Sequence, residues 1–285
     1  NSWKLGVSTW NISYLKHKAY WKGKYSLLHS LKCFIQADNK TASAFISPSL
    51  KDIRERFWLG KNYLSYNKII KSINKINKLK ISLTIFEVIT LIFILNASKK
   101  NNNYNLIEAG ALFAKDSTNI FEEPMIQAIV NINKQHLNFL KRKTIDEIIK
   151  QKVGYLNQNT NIYIGKQKPE ILRKIKKILK KNNSKITYPN SWKIIKLNGE
   201  YYYEDKDIKI KIKNKFIHSD GLYQNLGMAI KIALDMKIPV KKIKKTIPQI
   251  KFKGRLEYIK KGKVLKNLYK NELLLLDGCH SETSA

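Results

Sequence analysis

The stretch YNLIEAGALFAKDSTN, residues 104–119, decides the fold. Residues 104–107 read as a short buried strand that ends in a carboxylate, Glu108, and a glycine turn at Gly110. A second run, IQAIVNI at 126–132, reads the same way and is followed at once by His136. Residues 144–152 read as the next helix, and they end on Lys152. In a parallel sheet the carboxyl ends of the strands open onto one crevice, so Glu108, His136 and Lys152 are expected to face a common site. A carboxylate, an imidazole and a lysine beside such a crevice suit phosphate and magnesium chemistry. Taken singly, each has a plainer reading, because a strand-end glutamate also caps helices and a lone histidine also fills cores. Their order and spacing argue for a shared site.

Upstream, GKYS at 23–26 opens a run with Leu27, Leu28, Leu31, Phe34 and Ile35 at helical spacing. A Gly-Lys-x-Ser that starts a helix is a phosphate-binding loop in outline: backbone N–H groups and the helix amino end hold the anion, Lys24 neutralises it, and Ser26 ligates magnesium. Tyr20 and Trp21 crowd the approach to Gly23, where glycine would let backbone pass close to a phosphate. Two readings of that approach stand, an altered loop or residues before about 20 that are not native. Residues 42–46 read as a strand leading into SPSL at 47–50 and KDIRERF at 51–57. Residues 65–80 read as an amphipathic helix with Ile69, Ile70, Ile73 and Ile76 on one side. The run 83–95 is apolar, but it is short for a membrane span and carries Glu87, so a buried helix is expected.

Downstream, residues 161–165 read as a strand and 169–181 as a basic helix. From 192 to 212 the apolar period changes to two, with Asn198-Gly199 a hairpin turn, which predicts a small antiparallel β insertion. Asp220 reads as the cap of a helix carrying Asn225, and a short helix at 240–246 stops at Pro248. The expected fold class is α/β, a phosphate-loop-type, mostly parallel sheet flanked by helices, spanning 1–252 with 1–20 unassigned. A boundary near Phe252 makes 253–285 a hinge and the first strands of a truncated second α/β domain.

Three motifs in order carry a family resemblance. Residues 108–119, then NINKQH at 131–136, then KVG at 152–154 resemble the folylpolyglutamate synthase and dihydrofolate synthase branch of the Mur ligase superfamily. The family patterns there are roughly LEVGLGGRLDATN, NIGLDH and EKAG. GKYS resembles the end of the family's GTNGKGS, and SPSLKDIRERF its SPHLVDFRERI; the interval from Gly23 to Pro48, 48 − 23 = 25 positions, is the one the family leads us to expect. LTIFEVIT at 83–90, the segment ending at Ala229, GRLE at 254–257 and LLLLDGCH at 273–280 are similar to the family's LTxFExLT, HQxxNAxxA, PGRLE and LLDGAHN. The chain departs from the pattern at Ser49, Gly221 and Ser281, and at Leu112, Phe113 and Ala114, where the family has two glycines and an arginine. The cation so lost leaves Lys115 as an adjacent substitute.

The resemblance implies an ATP-dependent ligase joining a folate or dihydropteroate carboxylate to L-glutamate through an acyl phosphate. In that reading Gly23, Lys24 and Ser26 hold the triphosphate, and Asn225, Arg255 and Asp277 add nucleotide contacts. Ser26 and Glu108, with Ser47, anchor one Mg²⁺; His136 binds a second, helped by Lys152, which is carbamylated in the family. Lys24, His136 and Lys152 then form the catalytic set. The chain starts without Met and stops directly after a motif, so a fragment with little or no turnover is expected.

The formal net charge of +34 would ordinarily direct attention to nucleic acid. Only five of the 55 basic residues are arginine, and the lysines are scattered among many Asn and Ile, as composition bias would scatter them. No specific nucleic-acid partner is therefore expected, although a basic module of that kind and another Mur-type amino-acid ligase remain the rival readings. The positive surface would draw in ATP and a polyglutamate tail. Two cysteines, Cys33 and Cys279, build no disulfide framework or metal-spaced cluster, which suits a reducing cytoplasm; a monomer with no membrane partner is expected besides.

Overall fold

The computed structural model describes residues 25–135 and 137–278. Gly23, Lys24, His136 and Cys279 lie outside them, and so does the approach to the expected phosphate loop. Helix α1 (Tyr25–Ala37) buries Leu27, Leu28, Leu31, Phe34 and Ile35, the positions its spacing predicts. Strand β1 (Ala42–Phe45) is buried throughout and alternates between layers, Ala42 and Ala44 facing α1 while Phe45 faces the opposite side. β2 (Phe57–Leu59) and β3 (Asn62–Tyr63) continue from it antiparallel. Gly60, between them, has φ +82, and a Cβ there would lie 2.7 Å from Asn102 Oδ1, so this turn needs glycine.

Helices α2 (Tyr66–Asn77) and α3 (Ile85–Ala97) follow. α2 seats Ile69, Ser72 and Ile76, but Ile70 is 54% exposed, against expectation. One residue past Ile69 is a rotation of about 100°, which carries Ile70 off the seam. α3 is buried as expected, with Phe93 stacked on Phe45 at 5.4 Å. Its Glu87 closes a capping box, accepting from Thr84 N at 2.7 Å while Glu87 N donates to Thr84 Oγ1 at 3.3 Å. β4 (Tyr104–Ile107) then pairs parallel with β1, Phe45 opposite Ile107, and the first sheet has the order β3-β2-β1-β4.

β5 (Ile126–Ile129), β6 (Asn161–Ile164) and β7 (Lys185–Thr187) form a second sheet, all parallel. Among the described residues β4 and β5 belong to different sheets. α4 (Ile145–Val153), capped by Thr144, and α5 (Pro169–Leu179) cover one face of this second sheet. β8 (Trp192–Leu197), β9 (Glu200–Asp205) and β10 (Lys209–Ile212) make the expected antiparallel insertion. Its turn has positive φ at both Asn198 and Gly199, the geometry that an Asn-Gly pair favours.

α6 (Asp220–Asp235) and α7 (Val240–Thr246) lie with α1 in the main core, together with Trp192 and Tyr203 of the insertion. Gly227 allows α6 to approach β8, since a Cβ there would meet Ile194 Cδ1 at 2.6 Å. Ser219, not Asp220, caps α6: it has extended backbone and accepts from Leu222 N, while Asp220 takes the Tyr201 hydroxyl at 2.6 Å. Last, β11 (Glu257–Ile259) and β12 (Leu274–Leu276) pair antiparallel as a separate ribbon. The result is a three-layer α/β/α body, with α2 to α5 on one side of the parallel strands and α1, α6 and α7 on the other. No described helix is long and apolar enough to cross a membrane.

Candidate functional site

Because β1 and β4 are parallel and in register, their carboxyl ends deliver Glu108 and Ser47 to the same place. Glu108 N extends the ladder by donating to Phe45 O at 2.9 Å. Its side chain is 8% exposed, and each oxygen takes a different backbone donor: Tyr25 N at 3.1 Å to Oε1, and Ser47 N at 2.9 Å to Oε2. One carboxylate thus ties the first turn of α1, the loop after β1 and the end of β4. The Tyr25 N–H is one of the donors that a helix leaves without an intrahelical partner, and the positive end of the helix favours an anion there.

The loop that presents Ser47 is held by its own charged residues. Glu55 Oε2 accepts from Leu50 N at 2.8 Å and Lys51 N at 3.2 Å. Asp52 caps the short 3₁₀ turn Ile53–Arg56 and is forked by Arg54, whose Nε and Nη2 donate at 2.8 and 2.6 Å. That hydrogen-bonded guanidinium pushes the Asp52 carboxyl down to about 2. Arg56 turns inward: its Nη1 donates to Ser47 Oγ at 2.9 Å, and its buried Nε has no hydrogen-bond partner. Burial lowers the Arg56 guanidinium from its ordinary value, against the raising effect of the Glu108 charge. The Ser47-Pro48 peptide is cis.

Asn225 comes from α6, with Nδ2 donating to Ser26 Oγ at 2.8 Å, so residues 199 positions apart meet at the start of α1. Lys152, at the end of α4, donates from Nζ to Ala111 O at 2.9 Å and so reaches the turn that follows Glu108. In that turn Asp116 accepts from Thr118 N at 2.9 Å, and its Oδ2 lies so close to Gly110 that a Cβ has no room. Lys115 is exposed, whereas Arg56 brings a positive charge to Glu108 through Ser47. Arg255 and Asp277 hold the β11–β12 ribbon, Arg255 Nη1 to Gly278 O at 3.0 Å and Leu256 N to Asp277 Oδ2 at 2.7 Å. His218 is exposed and packs edge-on against Tyr258.

Of the residues singled out from the sequence, Ser26, Ser47, Glu108 and Asn225 are therefore gathered by direct hydrogen bonds or through Tyr25, and Lys152 approaches by the neighbouring turn. Gly23, Lys24 and His136 fall outside the described residues. Arg56 is the member that sequence reasoning missed, although it stands in the quoted KDIRERF segment. Missed too was a largely buried cluster where α1 meets Phe252. There His29 lies 3.7 Å from Cys33 Sγ and edge-on to Phe252, and burial first, then Lys32 and Lys253, push its imidazole down to about 3.

Among the described residues, the oxygen donors gathered here are the Glu108 carboxylate at the end of β4, the Ser47 hydroxyl after β1 and the Ser26 hydroxyl at the start of α1. Among the described residues no group of three or more His, Cys, Asp or Glu is placed to hold a metal. Hard oxygens with a single carboxylate fit Mg²⁺, which keeps waters and shares itself with substrate phosphates, better than a metal that needs an all-protein cage. The helix start and Asn225 beside Ser26 fit an anion at the same place.

Architecture and site together define an α/β protein whose parallel strands, flanked by helices, end on a cluster of oxygen donors. No family model matches the sequence. The chain is 22% identical over 262 residues to folylpolyglutamate synthase of Saccharomyces cerevisiae strain FostersO, a match covering 84% of this chain and 45% of that one. It superposes on folylpolyglutamate synthase of Thermotoga maritima with a TM-score of 0.80 at 21% identity, over 98% of this chain and 66% of the other. It also superposes on a bifunctional folylpolyglutamate synthase/dihydrofolate synthase of Yersinia pestis, a complex with AMPPNP and a manganese ion, with a TM-score of 0.79 at 18% identity, over 96% and 66%. Within its class, then, the chain is similar in sequence to the folylpolyglutamate synthases and has their fold, and it spans less than half the length of the curated relatives it matches.

Proposed function

We propose that this chain carries the ATP- and magnesium-binding half of a ligase that joins a folate or dihydropteroate carboxylate to L-glutamate. The observation that carries the reading is the Glu108 clamp, which brings the start of α1 and Ser47 to one carboxylate at the strand ends. It is supported by the match to folylpolyglutamate synthases over most of the chain and by the AMPPNP and manganese bound in a structure of the same fold.

In this reading the backbone at the start of α1 receives the triphosphate, with Gly23 and Lys24 leading into it. Asn225 orients the Ser26 hydroxyl. Ser26, Ser47 and Glu108 would hold a first Mg²⁺, and His136 with Lys152 a second. When bound, the metal offsets the repulsion between a substrate carboxylate and the phosphate it attacks. Lys152 contributes charge from the turn after Glu108, and carbamylation there would convert it from a cation to an anionic ligand. The carboxylate would displace ADP from the terminal phosphate to give an acyl phosphate, from which the glutamate amine would displace inorganic phosphate, losing a proton as the amide forms. Arg255 and Asp277 would contact the nucleotide from the ribbon beyond Phe252, where a second domain begins. The protein would act as a monomer in the cytoplasm.

Titrating the chain with AMPPNP in the presence of Mn²⁺ tests this directly. Saturable nucleotide binding that needs the metal, and is lost in Glu108→Ala judged folded by circular dichroism, is the expected result. Metal-independent binding, or binding unchanged by the substitution, contradicts it.

A further inference from the structure

The DxRER segment, Asp52 to Arg56, spends its first three charged side chains on its own loop: Asp52 and Arg54 fork together, and Glu55 staples Leu50 and Lys51. Arg56 alone points into the site. It donates to Ser47 Oγ at 2.9 Å, while the backbone of the same serine donates to Glu108 Oε2 at 2.9 Å. Guanidinium and carboxylate therefore face one another across one residue, the carboxylate buried and the guanidinium half-buried. Arg56 is half-buried, and its solvent-shielded Nε lies without a partner, so its charge is screened less than that of a surface arginine.

We propose that Arg56 is a resident counter-cation of the site: it helps to balance Glu108 and orients Ser47 before any metal arrives, and it thereby makes metal binding depend on nucleotide. The inference rests on the reading of Ser47 and Glu108 as metal ligands. One lone pair of Ser47 Oγ is engaged by Arg56, and the other remains for a cation. A divalent ion entering between that hydroxyl and Glu108 meets a fixed positive charge that arginine cannot shed by deprotonation. A triphosphate reverses the balance, because its negative charge is attracted to Arg56 and to the metal alike. Metal and nucleotide then strengthen one another, and by linkage each raises the affinity of the other by the same factor. The segment also supplies a cation in a chain where Leu112, Phe113 and Ala114 replace the motif's glycines and arginine.

The test is Mn²⁺ affinity, read by the loss of the free-ion paramagnetic resonance signal, with and without AMPPNP, in the wild-type chain, Arg56→Gln, Arg56→Met and Arg56→Lys. The neutral variants should bind Mn²⁺ alone about ten-fold more tightly than wild type, a single unit charge removed at short range being worth a factor of that order. The strengthening of Mn²⁺ binding by AMPPNP should shrink about ten-fold in the same variants. Arg56→Lys keeps the charge and should stay within about three-fold of wild type on both counts. A residue that merely shaped the loop would shift Mn²⁺ binding the other way when removed, so the sign separates the two roles. Arg56→Met covers the case in which Arg56→Gln does not fold. Wild-type binding with unchanged or weaker Mn²⁺ affinity in the neutral variants overturns the role of Arg56 alone. A wild-type chain that binds no Mn²⁺ even with AMPPNP overturns the site and this inference together.

Discussion

Replacing Glu108 with Ala should cost stability before any ligand is considered. The carboxylate accepts two backbone N–H groups, from Tyr25 and Ser47, in a position 8% exposed. Hydrogen bonds to an ionised acceptor contribute about 1.5–3 kcal/mol each, and removing the acceptor leaves the donors to bear their desolvation. The two bonds share one group and water can enter the space left, so the sum is not realised in full; about 3 kcal/mol is the expected loss. That is a large share of an ordinary domain's stability of about 5–15 kcal/mol. Glu108→Gln keeps one acceptor oxygen but turns an amide N–H₂ toward the second donor, and should lose about 2 kcal/mol. Urea unfolding at neutral pH without metal or nucleotide, followed through the fluorescence of Trp58 and Trp192, gives both numbers. An Ala variant within about 0.5 kcal/mol of wild type would refute the clamp, since a dispensable carboxylate cannot be what joins α1, β1 and β4.

Other outcomes follow from single features. His29 is held at about 3 in the fold against an ordinary 6.5, so the neutral form is favoured; the stability it contributes is present above about pH 6.5 and drains as pH falls toward 3. Between pH 7 and 4.5 about 2 kcal/mol should be lost on this account, and urea midpoints of His29→Asn should be flatter over that range than those of wild type. Gly227→Ala pushes a methyl into Ile194 and Trp192 and should lower stability by about 1–3 kcal/mol in the same assay. Asn225→Ala frees the Ser26 hydroxyl and should weaken AMPPNP binding about five-fold by calorimetry, with roughly 1 kcal/mol off the unfolding free energy.

What the sequence made legible was whatever a local pattern encodes. The strand that ends at Glu108, the Asn198-Gly199 hairpin and the apolar run now seen as α3 each depend on neighbours within a few residues, and each was found where expected. Ser47 and Glu108 were found together because two parallel strands in register necessarily end side by side. What stayed hidden depends on where a long side chain turns. Arg54 and Arg56 are two letters apart in one motif, yet the first lies along its own loop and the second crosses to Ser47. No periodicity distinguishes them. Ile70 was misplaced because a run of isoleucines blurs which side of α2 is the seam, and the α6 cap fell one residue early because Ser219 and Asp220 are both good caps. His29 and Phe252 meet through the fold, 223 residues apart, beyond the reach of any window.

The most direct measurement of the central claim is a crystal structure of the chain with Mn²⁺ and AMPPNP, with the metal located by its anomalous scattering. The account predicts a peak about 2.0–2.3 Å from a Glu108 oxygen and from the hydroxyl of Ser47 or Ser26, with the triphosphate at the start of α1. Nucleotide bound elsewhere, or a manganese peak away from the ends of β1 and β4, would contradict it.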